Sequence, residues 1–239
     1  MAIRPFLAMT AAEMREFSVF PGEIAWMACH FSPYGTGLSN LPKYLPPGSL
    51  LILDDITPIH GHDADHIAEQ LLDRIEALDC CALLLDFQRP GYEESTALAQ
   101  HLAEALPCPV GVSELYAGDA DCPILLPPVP PSVPLEEYIA PWNRRDIWLE
   151  LALDSEVITL TEDGSSVSPL PFDANPDGGF AEENLCCHYR IESNDTSVQF
   201  TLWRTQDDLT QLLEKADSLG IPQAVGLYQE LWKNENRPA

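Results

Sequence analysis

Residues 80–90, CCALLLDFQRP, constrain the fold more than any other part of the chain. A short apolar run ends in a carboxylate, an aromatic ring, an amide and a guanidinium, and a proline then stops it. Helical patterns lie on both sides. Ile67, Leu71, Leu72, Ile75 and Leu78 keep helical spacing before the run, and Leu98, His101, Leu102 and Ala105 keep it after. An apolar run this short between two helices predicts a parallel strand buried on both faces. The polar residues at its C-terminal end then fall where parallel α/β proteins build their sites.

The same alternation runs through most of the sequence. Buried strands are expected at 24–30, 49–54, 80–88, 108–115, 123–126, 157–160 and 224–228, with helices at 93–106 and 205–219 besides the one leading into residue 80. Residues 1–22 read as a leading segment carrying a short helix, 11–17, capped by Thr10. Residues 31–47 and 161–179 read as turn-rich loops, and 135–153 as a helix broken near Pro141. Residues 185–203 read as a strand, a turn and a strand. Five prolines between residues 127 and 134 make that segment a rigid extended crossing. Seven or so strands alternating with helices predict one domain over 1–239. It is a (β/α) TIM-type barrel, short or irregular, or else an open doubly wound parallel sheet. No glycine-rich fingerprint follows any strand, which argues against a nucleotide site and calls for no cofactor. The tail 232–239 is polar and expected to fray.

Charge narrows the partners. The 239 residues include 38 acidic and 12 basic side chains, a formal charge of −26. Such a surface repels phosphate backbones, so neither nucleic acid nor an anionic membrane is an expected partner. The sequence leaves the oligomeric state open. Seven cysteines, two vicinal pairs among them, show no disulfide framework. With no export signal at the N-terminus they fit a reduced, cytoplasmic protein. Six of them fall at or just before expected strand starts, where small thiols act as apolar filler. Cys29, beside His30 at a strand end, is the exception that could be reactive.

The run Leu84-Leu85-Asp86-Phe87-Gln88-Arg89-Pro90 resembles the signature strand of family 18 glycoside hydrolases, the chitinase-like barrels. Their motif is D-x-x-D-x-D-x-E, and its four acidic positions fall here on Cys81, Leu84, Asp86 and Gln88. Only Asp86 matches. The hairpin 185–203, the following helix with Lys215 and Ala216, and the last strand are similar to the way such barrels close. The N-terminal part looks abbreviated by comparison, as though one strand–helix unit were missing. The resemblance implies a barrel in which the motif's Glu would protonate the leaving oxygen and Asp86 would orient the substrate's own acetamido group. Gln88 can exchange hydrogen bonds but has no proton to give, so that hydrolysis does not carry over.

Parallel strands would bring His30, Asp54, Asp55, Asp86, Gln88, Glu114, Tyr116 and Tyr228 to one mouth, with Glu162 and Asp163 in a following loop. Asp86 with Glu114, on neighbouring strands, is the candidate catalytic pair. His30, Asp54, Asp55, Gln88, Tyr116 and Tyr228 are candidate ligand contacts. Against this stands the plainer reading that Arg89 or backbone amides hold Asp86 while Glu114 faces solvent. The cluster His60, His62, Asp63, Asp65 and His66 carries metal-ligand types. It lacks a defined geometry, and Asp63 reads better as the N-cap of a helix, so no metal is expected. Tyr34, Tyr92, Tyr116, Trp142 and Trp203 could stack on sugar rings or simply pack. Trp142 beside Asn143-Arg144-Arg145 is the only basic spot. Three readings remain. One is a glycosidase-like barrel that has lost its acid and binds a carbohydrate or other polar small molecule. The others are a divergent glycosidase, and a scaffold for another protein.

Overall fold

The computed structural model describes residues 3–20, 22–59, 61–89, 93–118, 121–142, 145–170 and 178–232. Among these residues eight parallel strands close into a barrel. In spatial order they are β1 (Phe6–Met9), β2 (Glu23–Phe31), β4 (Leu50–Asp54), β5 (Ala82–Asp86), β6 (Val110–Ser113), β7 (Ile124–Leu126), β8 (Ile147–Leu151) and β14 (Gln223–Leu227), and β14 pairs back with β1. β3 (Leu38–Ser39) is a short antiparallel arm on β2. The closed barrel is the expected architecture, and the open sheet is ruled out by the β1–β2 and β1–β14 pairings.

Parts of the sequence reading need correction. Phe6–Met9 lies inside the leading segment yet forms a barrel strand, fully buried because both flanking strands pair with it. The helix read over 135–153 stops after one short helix, α4 (Leu135–Ile139), and a 3-10 turn at Ala140–Trp142. The remainder is strand β8. Pro141 cannot extend the helix, and Ile-Trp-Leu-Glu-Leu alternates with the period of a strand instead. All eight barrel strands are present among the described residues, so the abbreviation lies in the helices. α2 (Ala64–Leu78), α3 (Glu93–Ala105) and α5 (Gln206–Ser218) have full length, whereas α1 (Ala11–Met14) and α6 (Tyr228–Leu231) are single turns. A 3-10 turn, Glu114–Tyr116, stands between β6 and β7.

The expected strand at 157–160 and the hairpin at 185–203 belong to a second sheet. β9 (Ser155–Thr161), β10 (Gly164–Pro169), β11 (Phe180–Glu182), β12 (Cys187–Ser193) and β13 (Ser197–Trp203) form an antiparallel sheet between β8 and α5, in the order β10-β9-β13-β12-β11. Arg204 ties its base to the proline-rich crossing. The residue is 1% exposed, and its guanidinium donates to the carbonyls of Cys186, Val129, Pro130 and Leu185.

Alternation along each strand decides what faces the mouth. On β5, Leu83 and Leu85, with Phe87 just beyond, pack outward against Ile67, Leu71 and Ile75 of α2 and Leu98 and Leu102 of α3. Ala82 and Leu84 therefore face the barrel interior with Phe6, Ala8, Ala25, Leu50, Ile52, Leu125, Trp148 and Val225. By the same period of two, Asp86 and Gln88 continue the inward row. On β8, Leu149 and Leu151 pack outward and Trp148 inward, so Glu150 shares Trp148's side. The Trp148 indole lies where a Cβ on Gly111 would come within 2.4 Å of its ring carbons. The absent side chain at Gly111 is what lets an indole fill the barrel interior.

Candidate functional site at the C-terminal mouth of the barrel

A cavity of about 320 Å³ opens at the C-terminal ends of the strands. Its walls include apolar Met27, Ile52, Leu84, Leu125 and Val225, and its polar groups are Asp54, Asp55, Asp86, Gln88 and Glu150. It is a largely apolar concavity with a few convergent polar side chains.

The first three carboxylates are held by their neighbours. Asp54 Oδ2 meets His30 Nδ1 at 2.6 Å, and its Oδ1 accepts the backbone N–H of Ile56 at 3.1 Å. Asp55 accepts the backbone N–H groups of Gln88 and Arg89, one on each oxygen, both at 3.0 Å. That two-point hold clamps the chain beyond β5 onto the end of β4. Asp86 Oδ1 accepts from Gln88 Nε2 at 2.6 Å, so Gln88 serves as a brace for Asp86. Arg89 plays no part in this: its guanidinium donates to the carbonyl of Ile56. Burial raises the pKa of Asp86, the Gln88 hydrogen bond opposes that rise, and the charges of Asp54 and Asp55 add to it.

Glu150 is the site residue that the sequence reading missed. Burial, then the charges of Asp86, Asp154 and Glu230, push its carboxyl up to about 7. Its strand was hidden inside an expected helix. The available signal was one charged residue in an otherwise apolar, alternating five-residue run.

The other expected site residues part company with the mouth. Glu114 sits on the exposed 3-10 turn after β6 and does not line the cavity, so it does not face Asp86 across it. Tyr116 is 5% exposed and packs edge-on to Phe87 at 6.1 Å. Tyr228 opens α6 and packs edge-on to Phe17 at 5.4 Å. Both point outward because the strand has already ended where they begin. His30 reaches the cavity only through Asp54. Glu162 and Asp163 form the exposed turn between β9 and β10. Trp203 is buried against His188, Trp142 is partly buried beside the core, and Tyr34 is almost fully exposed. Tyr92, Asn143 and Arg144 lie outside the described residues, as does His60 of the histidine cluster.

Asp63 caps α2 by accepting from the N–H groups of Asp65 and His66. Among the described residues no three His, Cys, Asp or Glu side chains are arranged to hold a metal ion. Cys29 is fully buried, and desolvation followed by the charge of Asp54 pushes its thiol up to about 12. A thiol so held is not a nucleophile at neutral pH.

The sequence matches no family profile and no curated protein. Solved structures match by shape. A chitinase-like agglutinin from Robinia pseudoacacia aligns at TM-score 0.58 with 11% identity, covering 97% of this chain and 96% of that one. A chitinase from Chromobacterium violaceum aligns at TM-score 0.55 with 10% identity, covering 98% and 96%. A spore cortex-lytic enzyme of Bacillus megaterium aligns at TM-score 0.43 and 11% identity over 77% of this chain, which spans 56% of that longer protein. The first two likenesses establish the fold as a chitinase-like, glycosidase-type barrel, as the signature-strand resemblance implied.

Proposed function

We propose that this barrel binds a carbohydrate, or a polar small molecule of similar size, at the C-terminal mouth. One observation carries the reading: the cavity of about 320 Å³ combines apolar walls with the braced carboxylates Asp54, Asp55 and Asp86 and the amide of Gln88. Sugar rings present hydroxyls at their rims and C–H groups on their faces, which suits walls of that mixture. The position that would hold the acid in chitinase-like barrels is Gln88, so the usual protonation route is taken as lost. The fold likeness names the ligands to try first: chito-oligosaccharides.

The test is thermal melting and calorimetry with chitobiose to chitotetraose. A ligand at a hundred times its Kd should stabilise the protein by about 2.7 kcal/mol. Asp86→Ala, which removes both a carboxylate and the purpose of the Gln88 brace, should weaken binding by about tenfold or more. If no saccharide or small metabolite raises the melting temperature, the mouth is not a ligand site, and a scaffold for another protein becomes the better reading.

A further inference from the structure

We propose that Glu150 and Asp86 form a general acid–base pair that hydrolyses a glycosidic bond at the mouth, with Glu150 supplying the proton that Gln88 cannot. This rests on the reading that the mouth binds a glycoside, and it goes beyond binding to turnover.

The geometry comes first. Asp86 ends β5 and Glu150 is the penultimate residue of β8, with β6 and β7 between them around the ring. Both side chains line the one cavity and enter it from different strands, so a sugar seated there meets two carboxyl groups. They are unlike each other. Asp86 is braced by Gln88 Nε2 at 2.6 Å, a bond that an ionised carboxylate accepts best. No hydrogen bond from the described residues ties down the Glu150 carboxyl, which leaves it able to turn its proton toward a ligand oxygen. Among the described residues, the charges that raise Glu150 are all acidic: Asp86 from β5, Asp154 just past β8 and Glu230 from α6. The Tyr138 phenol of α4 is raised by Glu150 in turn, and Asp54 and Asp55 from the end of β4 line the same cavity. Burial and that surrounding push Glu150 up to about 7; burial raises Asp86 as well, and there the Gln88 hydrogen bond opposes the rise. One carboxyl with a hydrogen-bond brace and one without, in a single cavity, can divide the work of base and acid between them.

The step balances without a cofactor. The bond between the anomeric carbon and the leaving oxygen breaks, and that oxygen takes the proton of Glu150. A water molecule gives its oxygen to the anomeric carbon and a proton to Asp86. Solvent then moves one proton from Asp86 back to Glu150, restoring both.

The experiment measures hydrolysis of chitotetraose and of 4-nitrophenyl chitobioside across pH, alongside calorimetric binding of chitotriose. Wild type should cleave both with a bell-shaped profile whose alkaline limb lies near the value of about 7 held by Glu150. Glu150→Gln should lose about a hundredfold or more in kcat on chitotetraose with little change in KM. It should lose far less on the nitrophenyl substrate, because nitrophenolate leaves without being protonated. That asymmetry is the signature of an acid and is not expected from a merely structural residue. Asp86→Asn should lose activity on both substrates, and Gln88→Ala should keep the alkaline limb. Equal losses on both substrates in Glu150→Gln, or an unchanged alkaline limb, would overturn the proposal. Chitotriose binding without any turnover would overturn it too and leave the binding reading standing. Absence of binding and turnover together would remove both.

Discussion

Replacing Glu150 by Gln should make the protein more stable, and only above about pH 5, where a carboxyl of ordinary pKa ionises. In the folded protein the Glu150 carboxyl holds its proton up to about 7, against 4.5 for an unburied glutamate. Below the lower value the side chain is protonated whether the chain is folded or not, so it costs nothing. Between the two values the unfolded chain releases its proton while the folded chain keeps it, and unfolding gains. Above the upper value the folded state carries a half-buried anion near Asp86, Asp154 and Glu230, and the penalty is complete. The interval between 4.5 and about 7, at about 1.4 kcal/mol per pH unit, is worth about 3 kcal/mol. That figure is a ceiling, because water reaching the mouth screens the charge. For a chain of this size it corresponds to a rise of roughly 6–12 °C in melting temperature at most. Glutamine keeps the shape and cannot ionise. Thermal and urea melts of wild type and Glu150→Gln at about pH 4, 5.5, 7 and 8.5 should show a gain that is absent at the acid end and full at the alkaline end. A gain independent of pH, or a loss that grows with pH, would refute the electrostatic account of the mouth.

Other perturbations test the frame around the site. Gly111→Ala would put a methyl within 2.4 Å of the Trp148 ring and should cost about 1–3 kcal/mol, seen as a lower urea midpoint at unchanged slope; a neutral result would mean the indole can move aside. Arg204→Leu strips the donors from four loop carbonyls and should cost about 2–4 kcal/mol, with Arg204→Lys failing to restore it, since one ammonium cannot serve four separated acceptors. A lysine rescue would count against that role. In the native protein Cys81, the exposed thiol, should be alkylated well before Cys29 and Cys187, both held near 12 by burial. Mass spectrometry showing Cys29 modified as fast as Cys81 would contradict its burial in the core between the strands and the surrounding helices.

Local pattern along the chain was enough for the barrel's central strands and long helices. β2, β4 and β5 are short apolar runs between turn signals, and α2, α3 and α5 carry their period and, for α2 and α5, their caps in the sequence. It also placed Asp86 and Gln88 side by side at a strand end, because a period of two fixes which residues share a face. What it could not do was assign membership. Phe6–Met9 is only four apolar residues, too short a run to declare itself, and it becomes a strand because β2 and β14 pair with both of its edges. Ser155–Thr161 and the hairpin after it read as strands and are strands, yet they build the inserted sheet, since pairing partners are chosen by long-range contacts that local pattern does not encode. The same holds for the site. Residue type alone made Glu114 as good a partner for Asp86 as Glu150. Closure of the barrel set the two apart: it left Glu114 on an exposed turn and placed Glu150, half-buried, near three other acids, where loss of water and like charge raise its pKa.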